Sequence, residues 1–177
     1  MSAIHTATPH PSDSRAQREI EAAVLARCER RHPEWKRVQW KEAAAELGLS
    51  AVWRATRPDA AWREDSASGP QFIVAECYMR IGPLTAGHLR KMAMDVLKLI
   101  AMQRAVSAQC RVHAILIVPE ELSKRLSGDR WIIDALRLVE IVSIALLDEE
   151  RAQLNEATEL QAQGQARAGN RRRSRAV

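Results

Sequence analysis

A glutamate sits where this sequence can least tolerate one. In Phe72-Ile73-Val74-Ala75-Glu76-Cys77-Tyr78 an acid interrupts an apolar run that reads as a strand buried on both faces. An ionised carboxylate in such a strand is costly unless it is paired, hydrogen-bonded or bound to a metal. Strand alternation sends Phe72, Val74, Glu76 and Tyr78 to one face and Ile73, Ala75 and Cys77 to the other. The turn formers between Glu64 and Pro70 predict a hairpin joining this strand to residues around 57–63. That hairpin brings Asp59 beside Glu76. Two carboxylates at close range repel, and a divalent cation with a taste for hard oxygen ligands, such as Mg²⁺, makes the pair tolerable.

Other reactive side chains point to ordinary roles. His113, within the strand-like Arg111 to Val118, reads as a hydrogen-bonded strand histidine, and His88 as a cap near a helix start. Trp62 could stack on a base, but core packing is the commoner role of such a tryptophan. The three cysteines, Cys28, Cys77 and Cys110, are widely spread and lack metal-ligand spacing, which predicts reduced, buried thiols. There is no glycine-rich phosphate loop, no GxSxG elbow and no zinc pattern.

The elements that must hold the two acids follow from periodicity. Ser14 and Gln17 form a capping box ahead of a helix reaching about Arg31, with Pro33 just beyond it. Trp35 to Trp40 alternates in part like a strand, Lys41 to Leu47 looks helical, and Val52 and Trp53 give residues 51–56 strand character. Leu89, Met92, Val96 and Leu99 recur at helical spacing through about Arg104. Asp129 can cap a helix through Ile132, Ile133 and Leu136, Val139 to Leu147 reads as a last strand, and a helix-favouring stretch from Asp148 ends at Gly164. Short hairpins make antiparallel pairs and helical crossovers make parallel ones, so the order predicts an α/β domain with a mixed sheet.

With Pro58-Asp59 one hairpin ahead of Glu76-Cys77-Tyr78, the chain resembles the PD-(D/E)XK nuclease superfamily, the restriction-endonuclease-like fold. The likeness extends to the order of elements over residues 14–147. It implies a mixed β-sheet flanked by helices, with Asp59 and Glu76 binding Mg²⁺ or Mn²⁺ and the main-chain carbonyl of Cys77 assisting. It further implies that Glu21 or Glu19 of the first helix approaches the same site. Tyr78 occupies the family's lysine position, and a phenol of pKa about 10 carries no positive charge at neutral pH. Some members of the superfamily place that basic residue on the following helix, which makes Lys91 or Lys98 the substitute, with Arg80 a further choice. Solvated i, i+4 pairing with Asp95 is the ordinary account of the same lysines.

The resemblance thus implies a divalent-metal-dependent DNA endonuclease whose catalytic set is Asp59, Glu76, Tyr78, Lys98 and Lys91, and whose metal set is Asp59, Glu76, Cys77 and Glu21. Small nucleases of this kind often work as dimers, so a homodimer or larger complex belongs to the same expectation. The missing lysine motivates an alternative, a catalytically inactive nuclease-fold subunit that binds nucleic acid or protein. A third reading is an unrelated α/β protein in which Glu76 pairs with an arginine.

Charge distribution refines the partner. The chain has 177 residues with 27 Lys+Arg against 22 Asp+Glu, a net charge of +5. Residues 165–177 carry five arginines and no acid, so the body is neutral and the excess lies in the tail. Arg171, Arg172, Arg173 and Arg175 are its candidate nucleic-acid contacts, unless the tail is simply a solvated end. The expected organisation is a flexible arm over 1–13, the nuclease-like domain over 14–147, a helical segment over 148–164 and a basic disordered tail over 165–177. No apolar stretch approaches the roughly 20 residues of a membrane helix, and the N-terminus lacks the pattern of a secretory signal, so a cytoplasmic protein is expected.

Overall fold

The computed structural model describes residues 15–66, 69–106, 111–126 and 139–173, with the main chain alone for residue 161 and residues 163–173. The arm over 1–13, Cys110, the helix expected from Asp129, Trp131 and Arg175 lie outside the described residues. The elements are α1 (Arg15–Arg31), β1 (Lys36–Arg37), α2 (Trp40–Glu46), α3 (Ala51–Ala55), β2 (Ala60–Ser66) and β3 (Gly69–Cys77). They continue with α4 (Ala86–Ala105), β4 (Arg111–Pro119), α5 (Glu120–Leu126), β5 (Glu140–Ile144) and α6 (Asp148–Arg173).

The strands form one five-stranded sheet in the order β1-β2-β3-β4-β5. β1, β2 and β3 make an antiparallel meander, and β3, β4 and β5 run parallel. This is the expected α/β architecture, a mixed sheet flanked by helices, and its cause is connection length. The short β2–β3 hairpin forces antiparallel pairing, whereas α4 supplies the crossover a parallel neighbour requires. Alternation along β3 builds two cores. Phe72, Val74 and Tyr78 pack with Met92, Val96 and Leu99 of α4 on one face. Ile73, Ala75 and Cys77 pack with Ile20 and Val24 of α1 on the other, where Leu154 of α6 joins them.

Three local expectations change. The stretch from Trp35 to Trp40 yields only two strand residues, Lys36 and Arg37, before α2 begins. Residues 51–55 form a helix instead of a strand. Arg54 and Thr56 N–H donate to the carbonyls of Ser50 and Val52, and Trp53's own carbonyl accepts from Trp40 Nε1 at 3.0 Å. So short a segment satisfies its backbone more readily by one helical turn than by finding a strand partner. Finally, α6 passes Gly164 and continues to Arg173. One interior glycine costs only about 1 kcal/mol relative to alanine, which the Ala-, Gln- and Arg-rich surroundings offset.

Among the described residues no helix is long and apolar enough to cross a membrane.

Candidate active site

The antiparallel register positions the two acids. Ala60 pairs with Ala75 at the last step of the β2–β3 ladder, so one step further sets residue 59 opposite residue 76. Asp59 leaves the ladder there, and its Oδ2 accepts a hydrogen bond from the Cys77 N–H at 2.8 Å. The start of β2 and the end of β3 therefore deliver both acids to one end of the sheet, as the hairpin predicted.

Glu76 is 4% exposed. It lies on the α4 face, where Lys98 Nζ makes an ion pair with its Oε1. Burial pushes the Glu76 carboxyl up to about 7, opposed by Lys98 and reinforced by the charge of Asp59. Lys98 Nζ also donates to the Arg57 carbonyl at 3.1 Å, which ties α4 to the segment leading into Asp59. The partner of the buried acid is thus a lysine and not the arginine of the unrelated-protein reading.

Glu21 approaches from α1. It is half-buried, accepts from Gln17 Nε2 at 2.8 Å, and is raised above the ordinary carboxylate range by burial and by Asp59. Glu19 faces outward and pairs with Arg15 at 2.8 Å, so Glu21 is the helix-one acid turned toward the site. The two differ by two helix positions, a rotation of about 200°.

The two lysines also separate. Lys91 pairs with Asp95 at 3.0 Å and its Nζ lies 5.3 Å from the Tyr78 ring centroid. Burial lowers its pKa, but Asp95, Asp59 and Tyr78 together hold it above the ordinary value. Lys98 is the lysine that reaches the buried acid. Tyr78 is itself buried, its hydroxyl donates to the His88 carbonyl at 3.4 Å, and burial pushes its pKa up, so it remains a neutral phenol. Arg80 lies where its charge acts on Tyr78 and His88. The Cys77 thiol turns into the opposite core, leaving only its main chain at the site.

The remaining candidates have structural partners. His88 closes a capping box with Thr85 at the start of α4, and His113 is 2.6 Å from Glu140 on β5. Trp62 is fully buried and its Nε1 donates to Glu29 at 2.9 Å, so its ring cannot stack on a base. Cys28 and Cys77 are free thiols.

Among the described residues no three His, Cys, Asp or Glu side chains converge closely enough to hold a metal ion. In this arrangement Asp59 is engaged by the Cys77 amide and Glu76 by Lys98. The donor set nevertheless suits a hard cation. Asp59 and Glu76 offer carboxylate oxygens, and a cation would have to share Glu76 Oε1 with the Lys98 ammonium or displace it.

Sequence reasoning missed a basic side chain cluster near Asp59, made of Arg37, Lys41, Arg54 and Arg57, which line a crevice of about 310 Å³. They come from β1, α2, α3 and the loop after it, and nothing in their spacing signals that they meet.

Fold and site together define an α/β domain with a mixed sheet between helices and an acid–lysine cluster at one sheet end. Comparison with family models, curated proteins and solved structures finds no match.

Proposed function

We propose that this chain is a divalent-metal-dependent endonuclease of the PD-(D/E)XK type that hydrolyses phosphodiester bonds in DNA. The observation that carries the reading is the Asp59–Glu76–Lys98 arrangement. Two acids meet across one hairpin, and a lysine from the next helix stands where Tyr78 leaves the strand without one.

Asp59 and Glu76 would hold Mg²⁺ or Mn²⁺, with the Cys77 carbonyl and Glu21 next to them. The bound metal would supply an activated water and neutralise charge on the scissile phosphate. Lys98 balances the charge of Glu76 and presents an ammonium to the developing negative charge on phosphate oxygens. Its second bond, to the Arg57 carbonyl, keeps the ammonium near Asp59 as well as Glu76. Tyr78 supports α4 through its hydroxyl and takes no proton. Arg171, Arg172, Arg173 and Arg175 would add salt-sensitive contacts to the nucleic acid. A cytoplasmic setting, supported by the free thiols of Cys28 and Cys77, and a homodimer acting on two strands belong to the same reading.

The test combines metal binding and cleavage. Calorimetric titration of Mn²⁺ should give a binding isotherm for the wild type and none for Asp59→Ala. Nicking of supercoiled plasmid should fall about a hundredfold in Asp59→Ala, the scale lost with one charge-stabilising group. Identical isotherms for the two proteins would defeat the metal site. A wild type that binds DNA and Mn²⁺ without nicking would instead identify the inactive nuclease-fold subunit.

A further inference from the structure

Asp59 stands at the junction of two crevices that share it and Arg37. The larger, about 510 Å³, lies against α1 and sets Arg18 and Arg37 among Glu21, Glu29 and Asp59. The smaller, about 310 Å³, lies against α2 and α3 and has the opposite character. Arg37, Lys41, Arg54 and Arg57 line it, and among the described residues Asp59 is its single acid.

Three of those four cations are uncompensated. Arg37 is held by Glu29 at 2.9 Å and lies over the Trp62 ring. Lys41, Arg54 and Arg57 are exposed, and among the described residues none of their side chains forms an ion pair. The buried Trp40, Ala60 and Ala61 also line the crevice, whose accessible surface is mainly polar. Charges of one sign gathered around one concavity add their fields in the opening. The like charges repel one another, and a bound polyanion removes that repulsion. Directly across Asp59 the field reverses, because carboxylates outnumber cations in the neighbouring crevice.

We propose that the α2–α3 crevice holds the phosphodiester backbone of the strand being cut, on one side only of the reacting phosphate, with Arg54, Arg57 and Lys41 as its contacts. The inference deepens the nuclease reading and rests on it for the identity of the strand. The polarity is set by charge. Phosphates are drawn along the basic bay and stop at the acids, which cannot receive a phosphate until a cation offsets their charge. Arg57 has a double place in this scheme. Its side chain faces the bay, while its carbonyl is bound by Lys98.

Fluorescence anisotropy on the full chain tests this, using a labelled single-stranded oligonucleotide and the duplex of the same sequence, titrated over a range of salt without metal. Compared with wild type, Arg54→Ala/Arg57→Ala should bind about tenfold more weakly and lose about two phosphate contacts' worth of salt slope, roughly 0.7 per contact on a single strand and 0.9 on duplex. The oligonucleotide showing that change identifies the form the bay accepts. Removal of residues 165–177 serves as the comparison for contacts made by the tail. Unchanged affinity and slope in the double variant would overturn the inference, as would a wild type that binds neither oligonucleotide, or a loss confined to the tail deletion. The nuclease reading fails separately: if the double variant loses affinity while the wild type neither binds Mn²⁺ nor nicks plasmid, the bay stands as a nucleic-acid site without cleavage. Arg54→Lys/Arg57→Lys should restore most of the salt slope, which mere loss of folding in the alanine variant would not explain.

Discussion

Among the described residues two glutamates are buried, and their surroundings could hardly differ more. Glu150, 8% exposed at the start of α6, receives both arms of the Arg27 guanidinium, one of them at 2.9 Å, and the Leu147 N–H at 2.9 Å. The hydrogen bond from Arg27 outweighs burial and holds its carboxyl below the ordinary range. Glu76, 4% exposed, has a lysine on one oxygen and a repelling acid nearby. The first carboxylate is saturated, ties α6 to α1 and has nothing left to offer a ligand. The second is under-satisfied, and that is the condition in which a buried acid can still gain by taking on a cation.

Breaking the saturated site should cost the most. Glu150→Ala leaves a largely buried guanidinium unpaired and an amide without its acceptor, so urea denaturation at pH 7 should show a loss of about 3 kcal/mol. A change near zero would mean that the Arg27 pair contributes little, and the contrast with Glu76 would lose its structural half.

The Glu76 site should respond in the opposite direction. The folded-state pKa of about 7 lies above the ordinary 4.5. Between those values the folded protein keeps a proton that the unfolded chain has lost. Glu76 therefore makes stability fall as pH rises through that window, by up to about 3 kcal/mol, and the penalty is fully present above it. Glu150 has the reverse sign, because its stabilisation is lost as pH falls through its depressed pKa. Glu76→Gln should raise stability at pH 8 by about 1–2 kcal/mol, less than the full penalty because Lys98 loses its counter-charge, and should flatten the slope between pH 5 and pH 7. Urea midpoints at those pH values decide it, and a slope unchanged by the substitution would assign the penalty to another group.

A smaller effect sharpens the role of the lysine. Lys98→Met removes the cation that opposes burial, so the Glu76 carboxyl should titrate above its wild-type value of about 7, as read from its side-chain carbon shift in NMR. A downward movement would show that Lys98 is not the partner that matters.

Much of this arrangement is legible in the residues. The acid in an apolar strand, the turn formers before it and the alternation along β3 were enough to bring Asp59 to Glu76 and to divide the side chains between two cores. The rest depends on three-dimensional phase. Lys91 and Lys98 lie seven residues apart on one helix face, and only the tilt of α4 over β3 decides which ammonium reaches Glu76. Glu19 and Glu21 differ in the same way on α1. The Arg27–Glu150 pair spans 123 residues and joins two helices that meet only because both cover one sheet face. The cations of the α2–α3 crevice are invisible for a related reason, since residues 51–55 read as strand and fold as helix.

The ladder between β2 and β3 carries one last implication. Adding residues at the hairpin tip would leave every rung intact, so that end is free to lengthen, carry a tag or acquire a new loop. A single residue inserted within Ala60–Ser66 would shift the rungs by one and carry Asp59 to the wrong side of the sheet. The molecule is therefore permissive at one end of its longest hairpin and unforgiving at the other, and variation among kindred chains should be distributed accordingly.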